Sequence, residues 1–446
     1  MSDRIFSIVA VTGLAALAFV AGSFVVLAQV FPYPHLRNAY VAGKALIAQR
    51  SEAASVYATD LWREARTDAR GVTVHDATRT QPGYTLYSSG HDQRAYLIAL
   101  DGSVLHEWHM PYSEVWDETA APREPVADDR TYFRQLQLFP NGDLLVVYDG
   151  VGDTPHGYGL VRLDRESQVL WKYLQRAHHA FDVAPDGRVY ALTHEITSDV
   201  FEPRTSLGPP RIDDFVVELS ADGTELRKLR LLEALAQSDY LRILDTLPGY
   251  LGESGDYLHT NDIVYVDAET AGRFEFLQPG QVLVSMREPG ALAAVDLDQG
   301  RVTWALRGAW VGQHDPDLLP NGRILLFDNN GDFGPSGRSQ ILELDPRNQH
   351  IVWRYRGDAQ RPLESVIRSD QQRLPNGNTL ISESDGGRIL EVAADGAIVW
   401  EFVNPIRGGP TNALIPVIDG AQRIDPAQLE PGFRQTLEAA LRRSTT

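Results

Sequence analysis

The sequence predicts an all-β chain, a six-bladed β-propeller carried behind an N-terminal transmembrane helix and a short helical stalk. Three observations predict it: a recurring Pro-Asn/Asp-Gly turn, a Trp-ended strand at intervals near 47–49 residues, and an uncharged run of 26 residues at the amino terminus. The turn occurs at Pro140-Asn141-Gly142, Pro185-Asp186-Gly187, Pro320-Asn321-Gly322 and Pro375-Asn376-Gly377, with Pro279-Gly280 as a degenerate copy. Asn-Gly and Asp-Gly supply the positive φ that a tight hairpin needs, and each copy is followed by a run rich in β-formers. The second pattern is a short strand ending in Trp108, Trp171, Trp304, Trp353 or Trp400, with Gly223-Thr224-Glu225-Leu226 filling one gap without a Trp. Trp304 to Trp353 spans 49 residues and Trp353 to Trp400 spans 47, the length of one four-stranded blade. Six such motifs predict six blades, with the Trp side chains packed between them. Tyr84 to His109 holds only three strands, so the fourth is expected from the carboxyl-terminal end, around Asn412 to Ile418, closing the ring and removing both sheet edges.

The apolar run Phe6–Phe31 exceeds the roughly 20 residues that cross a bilayer and the roughly 7–15 of a signal-peptide core. Residues 1–35 are therefore expected to be a transmembrane anchor, with a cleaved signal peptide as the alternative. Residues 36–82 are expected to form a helical stalk and linker, because Ala, Leu, Gln, Arg and Glu dominate from His35 to Arg66. That helix would serve as a membrane stalk, a dimer contact or a strap. Residues 83–424 form the propeller and 425–446 a helical tail. Long domains translocate largely regardless of loop charge, so the expected location is a single-pass inner-membrane protein with a periplasmic propeller.

Composition removes several functions. Lys and Arg number 41 against 60 Asp and Glu, a net charge of −19, which repels polyphosphate and excludes a nucleic-acid partner. The absence of Cys excludes disulfides, thiolate zinc sites and thiol catalysis. There is no P-loop, dinucleotide fingerprint or Gly-x-Ser-x-Gly elbow. Asp328-Asn329-Asn330-Gly331-Asp332 begins like a calcium loop, but its twelfth position is Ser339 rather than Glu, so a plain turn is expected.

Aligning the copies on their turn glycines gives the histidines meaning. His179 stands eight residues before Gly187 and His314 eight before Gly322; each has an Asp three residues later, Asp182 and Asp317. His259 has Asp262 at the same remove. The three imidazoles are expected to precede the innermost strands of consecutive blades and to converge at the axial channel. Seven residues past the turn glycine come Arg287, His194, Asn329 and Ser384, which also should face the axis. The pocket so assembled contains His179, His259, His314 and Arg287, with His194 and Asn261, and would draw in a monoanion. Three imidazoles could instead ligate a metal, but Arg287 would repel a cation, so no metal is expected. Arg287 has a carboxylate partner available next to it in Glu288, and His178 is expected to be a bystander.

The segments His259-Thr260-Asn261-Asp262, Ser285-Met286-Arg287, Trp304-Ala305-Leu306-Arg307-Gly308, Gln313-His314-Asp315 and Phe327-Asp328-Asn329 stand in an order that resembles the arylsulfotransferase family of bacterial periplasmic enzymes. The resemblance covers about Tyr84 to Arg423. It implies a six-bladed propeller that moves a sulfuryl group from an aryl sulfate to a phenol without a nucleotide donor or other cofactor. It implies His314 as the nucleophile that becomes a sulfohistidine, His259 and Arg287 as ligands of the sulfuryl oxygens, and His179 as a further active-site residue. Asn261, His194 and Asn329 would touch substrate. Glu288-Pro289 departs from the His-Gln that often follows the family's Arg. The expected partners are aryl sulfates, phenols and the membrane, with a homo-oligomer or membrane-protein partner also compatible. The competing reading is a non-catalytic membrane-anchored scaffold or partner-binding subunit; a quinone-dependent dehydrogenase is a third, lacking an identifiable cofactor-stacking Trp.

Overall fold

The computed structural model describes residues 2–28, 30–33, 55–247, 255–330 and 338–444, in two units, Met1–Ser55 and Val56–Thr446. In the first unit, Ser2–Ala28 is helical, and Ala10–Ala28 has a mean hydropathy of 2.2 with none of its surface covered. Its length and composition suffice to span a membrane or to act as an export signal. The expected stalk falls largely on residues 34–54, outside the described residues.

The second unit is a six-bladed propeller of antiparallel strands. From axis to rim, blade 1 comprises Ile418–Ile424, Tyr84–Ser89, Arg94–Ile98 and Val104–His109. Blades 2 to 6 follow in chain order, beginning at the inner strands Thr131–Leu138, Ala177–Val183, Thr260–Tyr265, His314–Leu318 and Asp370–Arg373. The turn glycines take the left-handed conformation their motif demands, with φ of 93° at Gly142, 88° at Gly187, 77° at Gly322 and 88° at Gly377.

Ring closure differs from expectation by six residues. Ile418–Ile424, not Asn412 to Ile418, pairs with Tyr84–Ser89. Pro416 has no N–H to give to an inner ladder, and Leu414–Pro416 instead pairs with Trp62–Glu64. That pairing also corrects the helix expected to run to Arg66. After one 3₁₀ turn at Val56–Ala58 the chain is extended, because Leu61 and Trp62 bury against Tyr132 and Val417, and burial outweighs local helix propensity. Gly71–His75, expected as linker, adds a fifth strand to the rim of blade 6.

Most of the motif tryptophans bind adjacent blades, as expected. Trp108 Nε1 donates to the carbonyl of Gly142 in blade 2 at 3.1 Å, Trp353 to Ala394 in blade 6 at 3.1 Å, and Trp400 to Leu100 in blade 1 at 2.8 Å. Trp304 instead stacks on Phe276 of its own blade, with centroids 3.8 Å apart. The helix Pro431–Ser444 packs Phe433 and Leu437 against the blade 1 core beside Trp108.

Trp400 is fully buried and carries both apolar area and a hydrogen bond between blade 6 and blade 1. Trp400→Ala is expected to cost about 3–5 kcal/mol, read as a lower urea midpoint, whereas an exposed change such as Val352→Thr stays within about 0.5 kcal/mol.

Candidate active site

The axial cavity owes its lining to irregularities in the inner strands. Strand pairing slips at Phe133/Gln135, His178/Phe181, Thr260/Asp262, His314/Asp317 and Asp419/Ala421. A β-bulge re-aims the side chain beside it. Left-handed backbone recurs there, with φ of 55° at His179, 51° at Asp315, 75° at Ser369 and 74° at Gly420. For the non-glycine residues this conformation costs about 1–2 kcal/mol each. Two adjacent residues from each blade, among them Arg134, His179, Asn261, His314, Ser369 and Asp419, line a cavity of about 50 Å3.

The slips also hold the blades together. Gln135 Oε1 accepts the Phe181 N–H at 2.7 Å, Asp315 the Gln371 N–H at 2.7 Å, and Asp370 the Ala421 N–H at 2.9 Å. Phe181 and Gln371 each lie six residues before their turn glycine; the matching residue of blade 5 is Pro316, which has no N–H. Asp262, facing it from blade 4, is correspondingly left with an unpartnered, buried Oδ2. Burial and mutual repulsion raise Asp262 and Asp315 well above the usual carboxylate range, Asp317 to about 7 and Asp370 to about 6. These carboxyls therefore carry less negative charge at neutral pH than their number implies.

His314 is fixed by a two-step relay. Its Nδ1 lies 2.7 Å from Asn329 Oδ1 and 3.0 Å from the Gly312 carbonyl, two acceptors, so Nδ1 carries the proton and Nε2 the lone pair. Asn329 cannot flip, because its Nδ2 donates to the Ser365 and Arg368 carbonyls, each at 2.9 Å. Burial, with the nearby Arg134 and Arg287, holds the His314 imidazole neutral, well below its ordinary range. Asn329, expected at the substrate, is thus buried behind His314 and orients it.

His259 lies beside the cavity, and Asn261 takes the lining place of blade 4. In blade 4 the residue that slips is Asn261 itself, alone between Thr260 and Asp262 and with no residue opposite, so Asn261 and not His259 is turned to the cavity. His259 Nδ1 is 2.6 Å from Asp256 Oδ2, and this carboxylate raises the affinity of His259 for a second proton despite burial. The Arg287 N–H donates to the His259 carbonyl at 3.2 Å. The Arg287 guanidinium reaches over Gly312; a Cβ built there would stand 3.7 Å from Arg287 Nε and 3.9 Å from Asn329 Cβ. Glu288 forms an ion pair with Arg287 Nη1, as the sequence allowed, and Arg287 Nε is buried without a partner. Asn261 donates to the Gln313 carbonyl at 2.7 Å, and its Oδ1 is left unpartnered.

His179 does line the cavity, but His194 does not. His194 stacks on His178, centroids 4.1 Å apart, and accepts the Gly157 N–H at Nε2. His194 holds the same place in its blade as Arg287, but its ring is taken up by the stack on His178. Sequence reasoning missed Arg134 and Asp149, although its own two spacing rules reach both. Arg134 stands eight residues before Gly142 and Asp149 seven after it. Arg134 pairs with Asp419 at 2.7 Å, and Arg368 with Asp60 at 2.9 Å and Asp419 at 3.2 Å. Asp256 and His156 come from loops outside the repeat, where no spacing rule reaches.

No curated protein matches the chain. Solved structures that are similar include a protein of unknown function from Bacteroides caccae, 13% identical over 76% of this chain and 98% of that one, with a TM-score of 0.47. The propeller domain of Cps50 (Swd1) from Myceliophteria thermophila is 11% identical over 82% of this chain and 100% of its own, with a TM-score of 0.42. Virginiamycin B lyase from Staphylococcus aureus, an inactive variant solved with quinupristin, is 10% identical over 63% of this chain and 73% of its own, with a TM-score of 0.35. The family model for arylsulfotransferase (ASST) matches residues 135–405, which hold the inner-strand residues of blades 3 to 6 and with them His179, His259, Arg287 and His314. The chain belongs to the arylsulfotransferase family.

Proposed function

We propose that the chain transfers a sulfuryl group from an aryl sulfate to a phenol through a sulfohistidine at His314. The observation that carries this reading is the His314 tautomer: Asn329 and Gly312 engage Nδ1, so the lone pair of a neutral imidazole sits on Nε2 beside the cavity. In the first half-reaction Nε2 attacks sulfur, the N–S bond forms and the S–O bond to the aryl group breaks. The departing phenolate takes a proton from His259, whose Nδ1 is held by Asp256 and whose Nε2 is then the donor. In the second half-reaction the phenol acceptor gives its proton to His259, its oxygen attacks sulfur, and His314 is released. The transferring group is loose and planar, as in phosphoryl transfer, so catalysis needs positioned cations at its equatorial oxygens. Arg287 and Arg134 fill that role, Arg287 from beside the His314 turn and Arg134 from the cavity wall. His179 serves as part of the wall rather than as the acid, because its Nδ1 is turned to His156 and His178.

The helix Ser2–Ala28 and the resemblance to periplasmic enzymes support an inner-membrane protein with its propeller outside the cytoplasm. One observation favours a non-catalytic propeller instead: the Arg287–Glu288 ion pair, which neutralises the guanidinium the transfer needs.

The full-length protein is expected to release the chromophore from 4-nitrophenyl sulfate when phenol is supplied, with double-displacement kinetics. His314→Ala lowers that rate at least ~10³-fold, and mass spectrometry of donor-treated wild type finds the sulfuryl group on the His314 peptide. No turnover by wild type, with no adduct, would leave the scaffold reading standing. Asn329→Ala frees the His314 ring and is expected to lower kcat about 10²-fold with KM little changed; a change confined to KM would instead place Asn329 at the substrate.

A further inference from the structure

Behind His179 lies a cluster of donors that the transfer does not use. His156 Nε2 stands 3.3 Å from His179 Nδ1, and His178 Nδ1 stands 2.7 Å from the same atom. Asp149, from the second strand of blade 2, joins His156 and His179, with one donor atom of each within 4.8 Å of the others. His156 is shared with a second group, His156, His178 and His194, that meets the same limit. Donors bound about 2.0–2.1 Å from one zinc ion in tetrahedral geometry stand roughly 3.3–3.4 Å apart, close to the His156–His179 separation.

We propose that Asp149, His156 and His179 form a binding site for a divalent first-row transition metal of the zinc class. Two imidazoles and a carboxylate are a donor set that zinc, iron and manganese accept and that calcium and magnesium disfavour.

Two further observations point to an ion rather than to a chain of hydrogen-bonded imidazoles. Asp149 is 3% exposed, and its Oδ1 has no hydrogen-bond partner. Buried carboxylate oxygens are rarely left so. The second is charge. Asp60, Asp149 and Asp419 surround Arg134 and Arg368, three carboxylates against two guanidiniums. Arg134 Nε lies 3.9 Å from Asp149 Oδ2 and opposes a cation, but its close partner is Asp419 at 2.7 Å, which leaves Asp149 the carboxylate with least compensation. A divalent ion would supply it. The three residues come from separate segments of blades 2 and 3, a second-strand end, a loop and an inner-strand bulge, so the ion would also tie these blades together. This inference does not rest on sulfuryl transfer.

The test is the metal content of the full-length chain, made without a polyhistidine tag in zinc-, manganese- and iron-supplemented medium and purified without chelators. Wild type and the control His350→Gln are expected to hold about one equivalent per chain, and Asp149→Asn and His156→Gln below about 0.1. Circular dichroism establishes that each variant is folded; Asp149→Asn keeps the side-chain shape if His156→Gln does not fold. Chelator-treated wild type is expected to regain visible Co2+ absorption bands, with affinity at least ~100-fold weaker in Asp149→Asn. Wild type that holds no metal and gives no Co2+ bands overturns the proposal, as does equal binding by wild type and Asp149→Asn; neither result bears on turnover of aryl sulfates.

Discussion

Closure of the ring is the constraint on which everything else depends. Ile418–Ile424 pairs with Tyr84–Ser89 across more than 300 residues of sequence, and until it does, blade 1 lacks its inner strand and the ring stays open between blades 6 and 1. The cavity is lined by residues from all six blades, so it exists only when all six inner strands are in place. A loop-closure entropy of this size is offset by distributed gains: buried apolar seams between blades, indole hydrogen bonds such as Trp400 to Leu100, and side-chain clamps such as Asp370 to Ala421. The His314 geometry inherits that cooperativity, because Asn329 is held by the carbonyls of Ser365 and Arg368 on the approach to blade 6.

The local electrostatics show why a chain of net charge −19 can present a site for an anion. Guanidiniums at Arg134, Arg368 and Arg287 stand around the cavity, each with a carboxylate close by. The axial carboxyls are raised by burial and by one another, and those that clamp neighbouring blades spend their lone pairs on backbone N–H groups. The negative count of the chain is a property of its surface more than of its axis.

Much of this architecture was legible because propellers repeat. The turn glycines needed positive φ, the tryptophans marked outer strands, and the count of six followed from both. The spacing rules placed His179 and His314 at the cavity, and both line it. They set His259 beside His179, with ring centroids 5.1 Å apart, but in blade 4 it is Asn261 that lines the cavity, because pairing register is set by the partner strand, not by the residues that slip. His194 failed for the opposite reason: its spacing matches Arg287, yet a ring can stack behind a wall where a long guanidinium reaches over it. The extended segment at Leu61 and Trp62 was hidden because helix-forming composition says nothing about the groove that a bulky pair will fill.

The pairing of Trp62–Glu64 with Leu414–Pro416 has a mechanical consequence. Its partner is the stretch that leads directly into Ile418–Ile424, and the Val417 N–H donates to the Leu61 carbonyl at 2.9 Å. Tension applied to the polypeptide upstream of Val56 is therefore delivered first to the latch of the toroid, not dissipated in slack chain. Any tether on that side pulls on the one seam whose rupture would unwind the whole circle.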